Sequence, residues 1–127
     1  MSPIISVVTV VYNDNNNIEK TIKNVLKQTY HNIEYIVVDG ASTDGTLEVI
    51  KKYSDKLLYI SEPDKGIYDA MQKGANLARG EWVIFRNCGD FFITPDVIEK
   101  VFMQYEDKGE DFILCNSRYF KIMVSKT

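Results

Sequence analysis

Short, β-branched apolar runs alternate along this chain with stretches whose apolar residues recur every three or four positions. Residues 4–11 form a short, continuous, mostly β-branched run that suits a strand buried on both faces, and residues 33–38 read as a second buried strand. Residues 57–60, 82–85 and 112–115 read as three further strands. Between them, Ile18, Ile22, Val25 and Leu26 fall at helical spacing in a segment reaching about Gln28. The polar loop at residues 13–17 supplies caps for that helix. A helix capped by Ser42 or Thr43 turns Leu47, Val49 and Ile50 inward. A third spans residues 68–77, and Thr94-Pro95-Asp96 opens a fourth that runs to about Tyr105. Strictly alternating strands and helices predict an α/β fold, a mostly parallel sheet flanked by helices. Its crossovers should be right-handed. Beyond Asn116 the pattern is too short to assign.

Length and composition narrow the possibilities. A chain of 127 residues, 45% hydrophobic and 26% charged, suits one domain with a modest core. No linker, repeat or low-complexity segment divides it, so residues 1–127 are expected to form a single domain. The net charge of −3 is spread without a basic stripe, which argues against nucleic acid as a partner. Cys88 and Cys115 have no metal-binding spacing and sit in or beside apolar runs, as buried free thiols do. The start of the chain lacks the basic segment of a secretory signal. No apolar stretch approaches the roughly 18–20 residues that cross a bilayer. The expected location is cytoplasmic.

In open α/β sheets, ligands bind beyond the carboxyl ends of the strands. Three strand ends therefore hold the candidate site: Val11-Tyr12-Asn13, Asp39-Gly40-Ala41 and Asn87-Cys88-Gly89-Asp90. One aromatic and two carboxylates at a single sheet edge suit a nucleotide. The ring covers a base face, one carboxylate accepts from the base or ribose, and the other holds a divalent cation against a diphosphate. Mg²⁺ takes only one or two protein carboxylates and completes its shell with phosphates and water, so one metal-facing Asp suffices.

The segment SVVTVVYNDNNNIEKTIKNVLKQTYHNIEYIVVDGASTDGT resembles the opening of family 2 glycosyltransferases. The following PDKGIYDAMQKGANLARGEWVIFRNCGDFF is similar to the branch with a D-x-G-I-Y-D-A-M-N-K-G helix and an N-x-G-D turn. Several separated motifs occur in the family's order over about residues 5–92. The resemblance implies a GT-A, Rossmann-like nucleotide-diphospho-sugar transferase fold. It implies inverting, metal-dependent transfer of a sugar from a nucleotide-diphosphate donor, most often a UDP-sugar, to a glycan or lipid-linked acceptor.

Roles follow position by position. Tyr12 matches the base-pocket residue, Asp39 the carboxylate that contacts base or ribose, and Asn87 the position that approaches the ribose. Asp90 matches the metal ligand, for Mg²⁺ or Mn²⁺, and is the last acid of a motif whose first acid is here an amide. Lys65 and Asp69, where the third helix begins, are further candidates for nucleotide contact. Arg86 stands where the family usually carries Leu, and a buried charge there needs a partner. Asp44 reads as a residue of the second helix's start, and His31 as structural.

The family's general base lies in the second half of its domain, so it is expected outside this chain. The chain is expected to be the N-terminal, nucleotide-sugar-binding part, working at the inner face of a membrane and open to self-association along an exposed sheet edge. The alternative is a nucleotide-sugar-binding module without catalysis. A nucleotidyltransferase would need a Gly-rich basic loop where residues 12–17 stand, a dehydrogenase G-x-G-x-x-G, and a P-loop enzyme G-x-x-x-x-G-K-[ST]; none is present.

Overall fold

The computed structural model describes residues 4–104, 112–116 and 121–126. Its elements are β1 (Ile5–Val11), α1 (Ile18–Leu26), β2 (Ile33–Asp39), α2 (Thr46–Lys51), β3 (Leu58–Ser61), α3 (Ile67–Leu77), β4 (Trp82–Phe85), α4 (Val97–Gln104), β5 (Phe112–Asn116) and β6 (Lys121–Lys126). The strands form one sheet in the order β3-β2-β1-β4-β6-β5. The first four strands run parallel, and β6 pairs antiparallel with both β4 and β5. β6 has no counterpart in the sequence reading. Tyr105, the expected end of the fourth helix, lies outside the described residues.

Side chains alternate across the sheet with the two-residue period of a strand. Ile5, Val7 and Val11 of β1, Tyr35 and Val37 of β2, and Trp82 and Ile84 of β4 face one side. There they meet Ile18, Ile22 and Val25 of α1, Ile50 of α2, and Val97 and Ile98 of α4. Val8, Val10, Ile36, Val38 and Val83 face the other side and pack on Ala70 and Met71 of α3. Both faces of the central strands are thus covered, which is why β1 is mostly apolar on both faces, with Ser6 and Thr9 as its buried polar residues. Each fully buried Val or Ile contributes roughly 1.5–3 kcal/mol.

Handedness explains why α3 stands alone. From β1 the chain steps to β2 and then β3 in one direction, with α1 and α2 on one face. It then returns past β1 to β4. A right-handed crossover in the reverse direction must run over the opposite face. Gly74 lets α3 lie close there: a Cβ at this position would come within 2.3 Å of Val8 Cγ1.

Three expected details differ. α2 opens from Gly45 with no side-chain capping bond, rather than from Ser42 or Thr43. Asn17 precedes α1 but makes no side-chain capping bond. Its amide instead donates to Asp14 Oδ1 at 3.0 Å, and Ile18 N–H donates to the Asp14 carbonyl at 3.1 Å. The third strand begins at Leu58, which is half exposed at the sheet edge, while Leu57 is buried just before it. Asp44 does serve the start of α2, accepting the Thr46 N–H at 3.1 Å.

Candidate functional site

The chain reverses direction across the sheet between β1 and β4, and the carboxyl ends of β1, β2 and β4 open there. A cleft of about 360 Å³ lies at that edge, lined by Tyr12, Asp14, Asp64, Ile67, Asn87 and Cys88 among others. A second depression adjoins it over Gly40, Ala41 and Pro63, sharing Tyr12, Asp64 and Gly66.

The strand-end loops are held in uncommon conformations. Asn13 and Ala41 have φ of 47° and 63°, left-handed values that cost a non-glycine residue about 1–3 kcal/mol. Hydrogen bonds between the two loops hold them so. Asn13 N–H donates to Ser42 Oγ at 2.8 Å, and Thr43 N–H donates to Asn13 Oδ1 at 2.7 Å. Gly40 N–H donates to the Val11 carbonyl at 2.9 Å. Tyr12, between them, stands 65% exposed on the cleft wall.

Asp39 lies beneath this junction rather than on its surface, at 0% exposure. Its Oδ2 accepts from Ser42 N–H at 3.1 Å and from Ser61 Oγ at 2.7 Å, and its Oδ1 accepts from Ser42 Oγ. A carboxylate has about four acceptor positions, so one is left. In this structure Asp39 organises the end of β2.

The turn after β4 carries Asn87 and Asp90. Asn87 lines the cleft, and its Oδ1 is buried with no hydrogen-bond partner among the described residues. Such an atom costs about 1–3 kcal/mol unless something donates to it. Asp90 is exposed, and its N–H donates to the Asn87 carbonyl at 2.9 Å. No group of three or more His, Cys, Asp or Glu able to enclose a metal occurs among the described residues. On the turn after β4 the donors are the hard oxygens of Asp90 and Asn87. They fit a Mg²⁺ or Mn²⁺ ion that draws most of its shell from phosphates and water, and not a closed protein cage.

α1 braces this turn with a polar stripe absent from the sequence reading. Thr21 Oγ1 accepts Gly89 N–H at 3.0 Å. Asn24 exchanges two bonds with the backbone of Phe92. Gln28 donates to the Thr94 carbonyl at 2.8 Å and accepts Ile98 N–H at 3.1 Å. Thr21 and Asn24 share one face of α1 and Gln28 lies just beyond its end, so the three-residue spacing of Thr21 and Asn24 is the sequence signal that could have found them.

Arg86 is buried, and its guanidinium lies 4.9 Å from the Phe92 ring centroid. Burial pulls its pKa down, and the nearby Asp90 charge opposes that. Cys88 is a free thiol on the cleft wall. Burial, with Asp14 adding repulsion, pushes its pKa up to about 12, so it is a protonated thiol and no nucleophile.

The remaining candidates sit beside the cleft rather than on its lining. Lys65 is exposed, and its N–H donates to Asp69 Oδ2 at 2.9 Å. Asp69 thereby caps the entry to α3 and also meets Lys73 Nζ at 3.7 Å. The structure brings Tyr12 and Asn87 together on one cleft and sets Asp90 on the same turn as Asn87. Asp64 and Asp14, both on the lining, were not among the sequence-derived site residues.

Four parallel strands with a cleft at the switch point form a nucleotide-binding type of α/β sheet, and the solved structures it superposes on identify the fold as GT-A. The Glycosyl transferase family 2 model matches residues 6–127, and the chain belongs to that family. It is 36% identical over 110 residues to an uncharacterised glycosyltransferase of Mycobacterium tuberculosis, covering 85% of this chain and 42% of that protein. It is 29% identical over 123 residues to the Escherichia coli UDP-Glc:α-D-GlcNAc-diphosphoundecaprenol β-1,3-glucosyltransferase WfaP, covering 87% of this chain and 49% of that one. The chain thus spans less than half the length of these relatives. The structure of the mannosyltransferase PcManGT from Pyrobaculum calidifontis, in complex with GDP-Man and Mn²⁺, superposes with a TM-score of 0.88 at 21% identity, over 99% of this chain and 45% of that one. Among the described residues no helix is long and apolar enough to cross a membrane.

Proposed function

We propose that this chain is the donor-binding part of an inverting glycosyltransferase that moves a hexosyl group from a UDP-sugar to a glycan or lipid-linked acceptor. The observation that carries the reading is the cleft at the carboxyl ends of the strands, with Tyr12 and Asn87 together on its lining. Asn87 stands where it can approach the ribose. Tyr12 covers a face of the base. Asp39 shapes the end of β2 and offers its remaining acceptor position to the nucleoside.

Asp90 is the residue that would hold Mg²⁺ or Mn²⁺ beside the diphosphate. When bound, such a cation offsets the charge gathering on the leaving diphosphate. Lys65, exposed beside the cleft, serves as a counter-charge to phosphate, and Asp69 fixes the backbone that carries it. Direct displacement by the acceptor hydroxyl, deprotonated by a general base in another part of the protein, inverts the anomeric centre.

WfaP's name supports a UDP donor and a polyprenyl-linked acceptor. An acceptor of that kind places the reaction at the inner face of a membrane, with this protein as a peripheral visitor. The open edge of β3 gives a route to self-association.

The test is calorimetric titration of UDP, with and without Mn²⁺, into the chain and into Asp90→Ala. Metal-dependent binding that disappears in Asp90→Ala is the expected result. No binding of UDP, GDP or dTDP would sink the proposal. Binding with no transfer by the whole protein would favour a non-catalytic nucleotide-sugar module.

A further inference from the structure

Arg86 is a charge buried at the foot of the turn that carries Asp90. It follows β4 directly, and its own N–H donates to the Val8 carbonyl at 2.7 Å. The residue is 4% exposed. Its guanidinium lies over the ring of Phe92, 4.9 Å from the centroid. Asp90 stands between these two residues in sequence, on a turn that is exposed at Gly89, Asp90 and Phe91.

The cation is held in place. Phe92 is buried and exchanges two hydrogen bonds with Asn24, at 2.6 Å and 3.0 Å. Gly89 N–H is held by Thr21 Oγ1 at 3.0 Å, and Asp90 N–H by the Asn87 carbonyl at 2.9 Å. Taking a guanidinium out of water is costly, and an aromatic face or a nearby negative charge offsets that cost. Phe92 supplies the face. Asp90 supplies negative charge, which favours the charged guanidinium against the pull of burial. The attraction is mutual, so a carboxylate suited to a divalent cation stands beside a fixed positive charge that repels one.

We infer that Arg86 is a positioning residue that partly neutralises Asp90, so that the site holds a free divalent cation weakly and takes it firmly only together with a nucleoside diphosphate. A nucleoside diphosphate carries more negative charge than one divalent cation cancels. Its complex with the cation is therefore net negative, and the guanidinium attracts it rather than repels it. The inference rests on Asp90 as the metal ligand of the donor-binding reading above.

The experiment titrates Mn²⁺, without nucleotide, into the full chain and its Arg86→Met, Arg86→Lys and Asp90→Asn variants. Binding is read by water-proton relaxation, and melting curves are taken in metal-free buffer. Met keeps much of the length of Arg and removes the charge. Lys keeps the charge and loses the planar group. Arg86→Met should bind free Mn²⁺ about threefold to thirtyfold more tightly than wild type, the range for one unit charge acting on a divalent ion across a few residues at a watery surface. Arg86→Lys should stay within about twofold of wild type. A residue that only packs gives the opposite sign, because a loosened turn weakens binding as it lowers Tm. Arg86→Met binding Mn²⁺ no more tightly than wild type overturns the inference.

If Arg86→Met does not fold, Asp90→Asn decides. Asp90 is exposed, so the change disturbs no core packing. It leaves the buried guanidinium less compensated, and Tm in metal-free buffer should fall by about 2–5 °C. An unchanged Tm then overturns the inference. The same variant separates this inference from the reading beneath it. Mn²⁺ binding untouched by Asp90→Asn overturns the metal assignment and the inference with it. Binding lost in Asp90→Asn but unchanged in Arg86→Met overturns only the part given to Arg86.

Discussion

Asn24 and Phe92 exchange a pair of hydrogen bonds across 68 residues of sequence: Phe92 N–H donates to Asn24 Oδ1 at 2.6 Å, and Asn24 Nδ2 donates to the Phe92 carbonyl at 3.0 Å. A side-chain amide here does what a neighbouring strand would do for the backbone. It fixes the loop that leaves Asp90 and buries Phe92 at 2% exposure. Asn24→Ala strands both backbone groups of Phe92. The expected cost is about 1–3 kcal/mol, seen as a lower midpoint in urea unfolding. If the turn depends on this brace, Mn²⁺-dependent UDP binding weakens as well. An unchanged midpoint would mean that water replaces the amide without loss.

Gly74 sets a second, steric constraint. Ala is the better helix former by about 1 kcal/mol. Its Cβ would nevertheless meet Val8 Cγ1 at 2.3 Å and Val38 Cγ2 at 3.3 Å. Val8 is fully buried between α3 and its strand neighbours, so it has little room to yield. Overpacking of this kind costs about 1–3 kcal/mol, so Gly74→Ala should be less stable than the parent in equilibrium denaturation. A net gain in stability would show that α3 can lift from the sheet.

Cys88 makes a prediction about pH. Its folded thiol titrates at about 12, against about 8.5 for a free cysteine. The folded state therefore holds a proton that the unfolded state releases. The contribution of Cys88 to stability is whole below about pH 8.5 and is lost progressively as pH rises toward 12. At pH 8, iodoacetamide should modify Cys88 far more slowly in the native protein than in urea, as read by peptide mass spectrometry. Equal rates in the two states would contradict a shielded, protonated thiol.

The architecture was legible because it follows from local pattern. The runs at β1, β2 and β4 and the 18-22-25 spacing in α1 each report a face buried against a neighbour. β3 was placed one residue early, since Leu57 and Leu58 are equally apolar and only the edge position separates them. What pattern could not show was which polar residues turn inward. Asn24 and Gln28 look like solvent-facing helix residues until the loop they hold is in place. Asp64 looked like a loop residue, because its relation to Gly40 is a contact between β2 and the loop after β3 that no spacing encodes. Asp39 was recognisable as an acid at a strand end, but not as one already surrounded by donors.

That last point can be tested at Ser61, which separates the two roles of Asp39. Asp39 holds Ser42, Ser42 Oγ accepts Asn13 N–H, and Asn13 and Ala41 carry the two left-handed backbones of the cleft rim. Ser61→Ala removes one donor to Asp39 and leaves its charge in place. Asp39→Asn removes the charge and must set its amide nitrogen against donors at Ser42 or Ser61. If Asp39 mainly organises the rim, both changes lower stability, Ser61→Ala by about 1 kcal/mol and Asp39→Asn by about 1–3 kcal/mol. UDP affinity should then fall in step with the loosened rim. If Asp39 instead spends its free acceptor position on the nucleoside, Asp39→Asn should lose UDP affinity well beyond Ser61→Ala at matched stability. Melting curves and UDP titrations on the two variants side by side decide between the roles, because only a direct contact separates binding from stability.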